Sequence, residues 1–147
     1  MKGTTRTFLI VLAMATILAT VATGAAVAGK GGGKGHHQSS SGGGSISLVL
    51  LNSTDGLPHY GQQVTFNVST TATDKPSVQL TCSQGGVVVY RASAGFYPEY
   101  PWPWAQTFTL RSAAWTGGGA DCIATLYYVD RRAKTQTLTT MSFPVYA

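Results

Sequence analysis

The residues of this chain that could do chemistry are few and scattered. His36 and His37 are adjacent imidazoles in a Gly/Ser stretch. Imidazole is a good ligand for divalent metals, but two neighbouring rings without a third donor nearby make at most a weak, unselective site. No metal or other cofactor is expected. His59 follows Asp55 by four residues, with Gly56 and Pro58 between them, which reads as a turn-former and a surface imidazole rather than a base with its orienter. All five acids (Asp55, Asp74, Glu99, Asp121, Asp130) fall mostly in turn-like sequence. The chain contains no nucleophile elbow, H-E-x-x-H pair, phosphate-cradling glycine loop or calcium loop. No catalytic residue is assigned, and the expected role is not enzymatic.

Recognition chemistry is concentrated in one place. Phe96-Tyr97-Pro98-Glu99-Tyr100-Pro101-Trp102-Pro103-Trp104 holds five aromatics and three of the chain's six prolines in nine residues. Proline removes backbone donors and stiffens such a run toward extended geometry, so it suits a long connection and not a central strand. Two arrangements compete: the rings fold back to plug a small core, or they stand out as a rigid platform for a sugar, a peptide or another module. On the second reading Tyr97, Tyr100, Trp102 and Trp104 are the anchors, with Arg91 and Arg111 as polar partners. Trp115, beside Gly117-Gly118-Gly119, is expected in the core.

The segments before residue 45 speak to location. Lys2 and Arg6, the apolar run from Phe8 to Val21 and the small-residue end Ala26-Val27-Ala28 are the parts of a secretory leader. The run from Phe8 to Ala28 could just span a bilayer as an uncleaved anchor, but the small, weakly apolar residues from Thr23 onward suit a peptidase, so cleavage after Ala28 is expected. Residues 29–44 are mostly Gly and Ser with Lys30 and Lys34, and are expected to form a disordered tether. The net charge of +5 divides accordingly. From Ser45 on, six basic residues face five acids, leaving +1. The basic balance therefore belongs to leader and tether, and nucleic acid is excluded as an expected partner. Stable membrane insertion of the mature chain is likewise not expected. Asn52-Ser53-Thr54 and Asn67-Val68-Ser69 match the N-glycosylation sequon, of consequence only in a eukaryotic host, whereas leader and tether look bacterial.

From Ser45 the texture is β. Val64, Phe66 and Val68 alternate with polar residues, as do Val78, Leu80 and Cys82, then Phe108 and Leu110, then Cys122, Ala124, Leu126 and Tyr128. Ile46–Leu51 and Val87–Tyr90 are more uniformly apolar, as strands covered on both faces or buried at a dimer edge would be. In Thr135–Tyr146, Leu138 lies on one parity and Met141, Phe143 and Val145 on the other; a bulge near Thr139 or Thr140 would reconcile them, and Pro144 points to an edge. About seven strands with turn residues between them predict an antiparallel β-sandwich over residues 45–147.

The two cysteines, Cys82 and Cys122, both fall on inward parity, and in a secreted chain an isolated pair forms one disulfide. With Val-x-Leu-x-Cys at 78–82 and Ala-Asp-Cys-x-Ala at 120–124, the region resembles the immunoglobulin-like modules of secreted bacterial proteins. Counted through that resemblance, Cys82 and Cys122 fall on neighbouring strands of one sheet, whereas the usual pair joins the two sheets. Ala120 also stands where antibody-type domains place a Tyr. The resemblance implies an architecture and transfers no functional residue. The expected role is that of a secreted or cell-surface interaction module binding an extracellular protein, or alternatively a glycan, through the aromatic-proline loop.

Overall fold

The alternating runs become strands whose apolar sides face one another across a thin core. The computed structural model describes residues 38–40 and 43–147; the expected leader at 1–28 and most of the expected tether lie outside the described residues. The strands are β1 (Gln38–Ser40), β2 (Gly44–Leu50), β3 (Gln63–Thr70), β4 (Ser77–Gln84), β5 (Val87–Gly95), β6 (Phe108–Thr109), β7 (Ala120–Val129) and β8 (Thr135–Val145), with one 3-10 turn at Trp104–Gln106. They form two antiparallel sheets, one ordered β1-β8-β7-β4-β5 and one ordered β2-β3-β6. The architecture is the predicted antiparallel sandwich, and all seven expected strands are present.

Packing follows parity. Val78, Leu80 and Cys82 of β4, Cys122, Ala124 and Leu126 of β7, and Met141, Phe143 and Val145 of β8 are buried against Ile46, Val64 and Phe66 of the smaller sheet. Phe66 meets Phe108 edge-on at 5.6 Å between ring centroids and also touches Phe96 and Phe143. Trp115 is buried as expected and lies between Tyr60 and Tyr90. Cys82 and Cys122 are bonded and are direct register partners on adjacent strands, their Cα atoms 4.0 Å apart. The bond therefore lies within one sheet.

Two bulges explain where simple alternation fails. On β8, Leu126 faces Thr139 while Tyr127 faces Thr137, so Leu138 is the extra residue, next to the expected position. The bulge lets Leu138 and Thr139 both be buried and returns Met141, Phe143 and Val145 to the inner face. On β5, Cys82 faces Tyr90 while Ser83 faces Val88, leaving Val89 as the extra, buried residue. This corrects the reading of Val87–Tyr90 as covered on both sides: β5 lies at the end of its sheet, and Val87 is 68% exposed.

Two further differences concern the polar ends. Gln38–Ser40 lies within the stretch expected to be tether, yet it pairs with Thr139–Met141, and Gly44 already belongs to β2. Polar residues with no alternation give no strand signal, but they satisfy the outward hydrogen-bonding groups of β8. As a result β8 is covered at Thr139–Met141, while Pro144 lies beyond the register of β1, opposite Asp121.

A candidate binding cleft beside the aromatic-proline loop

The loop is built from the end of β5. At Phe96 the chain is held by a bond from its N–H to the Pro76 carbonyl, 2.8 Å, and the Phe96 ring packs against the core beside Phe66. A turn follows in which Tyr100 N–H donates to the Tyr97 carbonyl at 3.0 Å, bringing the two tyrosine rings to 4.7 Å between centroids with a 36° tilt. This pair lies over Gly95, where an added Cβ would stand 2.8 Å from Tyr97 Cζ, so the backbone there must be bare for the rings to settle.

The second half of the loop is fastened to β3. Trp102 Nε1 donates to the Phe66 carbonyl at 3.4 Å, and the Trp102–Pro103 peptide is cis. The Pro103 carbonyl accepts from Gln106 N–H at 3.0 Å and from Thr107 Oγ1 at 3.0 Å, closing the 3-10 turn. Buried Thr65 Oγ1 donates to the Gln106 carbonyl at 3.0 Å. Because β6 pairs with β3 only at Gln63 and Val64, the rest of the β3 rim faces this loop instead of a strand.

An open cleft of about 330 Å³ lies between the two. Phe96, Tyr97, Tyr100 and Trp102 wall one side, Phe66 to Val68 line it from β3, and no charged side chain lines it. Gln106 lines it too. It is only 2% exposed, and its Oε1 has no hydrogen-bond partner among the described residues.

The structure thus divides the residues expected to bind. Tyr97, Tyr100 and Trp102 meet at the cleft. Trp104 stands outside it and is 79% exposed. The rings of the loop divide: Phe96 is partly buried on the core, while Tyr100 is 42% and Trp102 51% exposed. Arg91 and Arg111 are exposed but do not line the cleft. Arg91 sits on the outer parity of β5, opposite Thr81, and Arg111 follows β6. Gln106 escaped the sequence reading because a lone Gln before a short strand has no pattern, and Asn67 because its sequon was its only signal.

A second polar cluster ties residues 53–62 to the chain's last residues. Tyr60 N–H donates to the Tyr146 carbonyl and Tyr146 N–H to the Pro58 carbonyl, each 2.9 Å. Nearby, His59 Nε2 lies 2.9 Å from Asp55 Oδ2 and Nδ1 3.0 Å from the backbone oxygen of Ala147. Both neighbours are acceptors, so the doubly protonated ring satisfies both. The Asp55 bond, and then the Ala147 bond, raise the His59 pKa above 6.5. The bond from His59, aided by Leu57 N–H, lowers Asp55 to about 2.

The signs define a window. A raised histidine stabilises the fold below its unfolded pKa of 6.5 and loses that contribution as pH rises through the folded value. A lowered carboxylate stabilises it above 3.8 and loses that contribution as pH falls through about 2. The pair is therefore at full strength between roughly pH 4 and 6. Both groups are solvent-accessible, so the effect is small. An NMR titration of the His59 ring is expected to give a midpoint above 6.5 that returns toward it in Asp55→Asn; an unchanged midpoint in that variant would contradict the pairing.

Among the described residues no cluster of three or more His, Cys, Asp or Glu side chains could hold a metal ion, and no helix is long and apolar enough to cross a membrane. Comparison with protein-family models, with curated proteins and with solved structures finds no match to this chain.

Proposed function

We propose that this chain is a non-catalytic binding module of immunoglobulin-like build, acting outside the cell, that engages an extracellular protein or glycan through loop 96–104 and the cleft beside it. The observation that carries the reading is the exposure of Tyr100, Trp102 and Trp104 on a loop stiffened by proline and fastened to β3. Large rings held rigidly in water cost little further entropy on binding and are the side chains that dominate interface energies. The sheet order supports the immunoglobulin-like build: β2-β3-β6 against β8-β7-β4-β5 corresponds to A-B-E against G-F-C-C′. The leader-like residues 1–28, with cleavage after Ala28, and the pairing of both cysteines support secretion or display at the cell surface. Residues 29–37, ahead of β1, would then space the sandwich from its point of attachment.

The test compares the wild-type chain, exported so that its cysteines oxidise, with Trp102→Ala/Trp104→Ala on a glycan array and in pull-downs from cell walls and culture fluid. Both rings are exposed, so the fold is expected to survive. Affinity is expected to fall by at least about 2 kcal/mol, roughly thirtyfold. Equal retention of the same ligand by both forms would remove the loop from the binding site.

A further inference from the structure

We infer that the cleft between loop 96–104 and β3 receives one ring of a neutral sugar, with Gln106 reading a hydroxyl and the loop aromatics stacking on the ring. This rests on the binding-module reading above and narrows it to a ligand class.

Charge is the first discriminator. No Lys, Arg, His, Asp or Glu lines the cleft. A phosphate, carboxylate or ammonium entering it would lose water without meeting a counter-charge, which is costly. A guest without charge loses nothing of this kind.

The second is the lining. Tyr97, Tyr100 and Trp102 present ring surface, and the C–H face of a pyranose is an apolar, flat partner for such surface. At about 330 Å³ the cleft is at the small end of ligand sites, room for a ring and not for a folded surface. Trp104, exposed two residues beyond Trp102, offers surface for the next unit of a chain.

The third is Gln106. A buried amide oxygen without a partner costs stability that a well-made core would not give away. A ring seated in the cleft that Gln106 lines would bring a donor to this amide once its head group turns toward the opening. A sugar hydroxyl both donates and accepts, so it satisfies the amide whichever way round the head group stands. A proline-rich peptide, the other guest suited to a groove of Tyr, Trp and Pro, has no N–H at its prolines and could meet the amide only from its other residues.

The experiment uses the full chain, exported and oxidised, on an array of glucan, mannan, galactan and chitin oligomers, uronate-containing oligomers and proline-rich peptides. Binding is expected to neutral oligomers and not to the uronates. Calorimetry with the best neutral oligomer then compares wild type with Gln106→Leu and Tyr100→Ala. Gln106→Leu is expected to weaken affinity about tenfold while leaving the melting temperature unchanged or higher, because it deletes a polar group that lacks a partner. Tyr100→Ala is expected to weaken affinity by a similar factor, about tenfold, and decides the matter should Gln106→Leu misfold. Peptide binding that depends on Trp102 and Trp104, without sugar binding, would overturn the sugar inference and leave the binding module standing. Absence of loop-dependent binding to any probe would overturn both. Sugar binding indifferent to Gln106→Leu and Tyr100→Ala would move the site away from the cleft.

Discussion

Replacing Cys82 and Cys122 together by alanine is expected to lower stability by about 4 kcal/mol. The bond closes a sequence separation of 40 residues, and in the chain-entropy account removing it returns about that much freedom to the unfolded chain. Both residues are buried on the inner face of adjacent central strands, so the lost sulfurs also leave unfilled volume, which adds to the cost. For a sandwich of this size the melting temperature should drop on the order of 20 °C. Urea unfolding of the two forms checks it, and the slope should rise in the alanine variant because its denatured state is freer to expand. A loss below about 1 kcal/mol would mean that pairing of β4 with β7 constrains the unfolded chain without the bond.

Phe66→Ala is expected to cost about 4 kcal/mol, in the range for deleting a fully buried aromatic ring. Phe66 has no exposed surface and touches Phe96, Phe108 and Phe143, one ring from each of three other parts of the fold. Its carbonyl also receives the Trp102 indole, and the residue lines the cleft. Removing the ring should loosen the footing of the loop as well as the core, so ligand affinity should fall beyond what residual unfolding explains. Phe66→Leu keeps most of the volume and should cost about 1.5 kcal/mol or less. Chemical denaturation of the three forms gives the stabilities, and binding measured well below the transition separates the two effects. If Phe66→Ala kept wild-type affinity while losing stability, core and cleft would be energetically independent.

What could be read from the residues differs by element. β7 is legible through Leu126: Cys122, Ala124 and Leu126 are buried while Asp121 and Ile123 are exposed, because a central strand with one wet face alternates. Beyond the bulge opposite Leu126 the alternation fades, and Tyr128, expected inward, is half-buried. The Cys82–Cys122 bond is the pairing expected of two lone cysteines on inward parity behind an expected leader. In β5, cover on both faces is not found because a bulge and an edge position both break the link between apolar runs and burial. β1 was missed because polar residues at an edge are held by backbone bonds, which leave no mark on side-chain pattern. At the candidate site, composition located the loop but could not sort its rings. Proline-rich sequence has no period, and Phe96 is turned inward by its contact with Phe66, thirty residues earlier in the chain, while Trp104 is left 79% exposed. Arg91 and Arg111 carry charge close to the loop in sequence, but Arg91 sits on the outer face of β5 opposite Thr81, Arg111 follows β6, and neither lines the cleft. Gln106 became visible only when its burial and its missing partner could be seen together.

The bond between Cys82 and Cys122 has one more effect, and it is topological. Loop 96–104 lies between the two cysteines in sequence, so it belongs to a covalently closed ring. Pro98 to Trp102 is exposed along that ring. One cut there opens the ring into two pieces that stay joined through sulfur, and the strands on either side keep their partners. Release of a fragment needs a second cut or a reductant. The exposed loop is thus mounted where a single nick does not detach it.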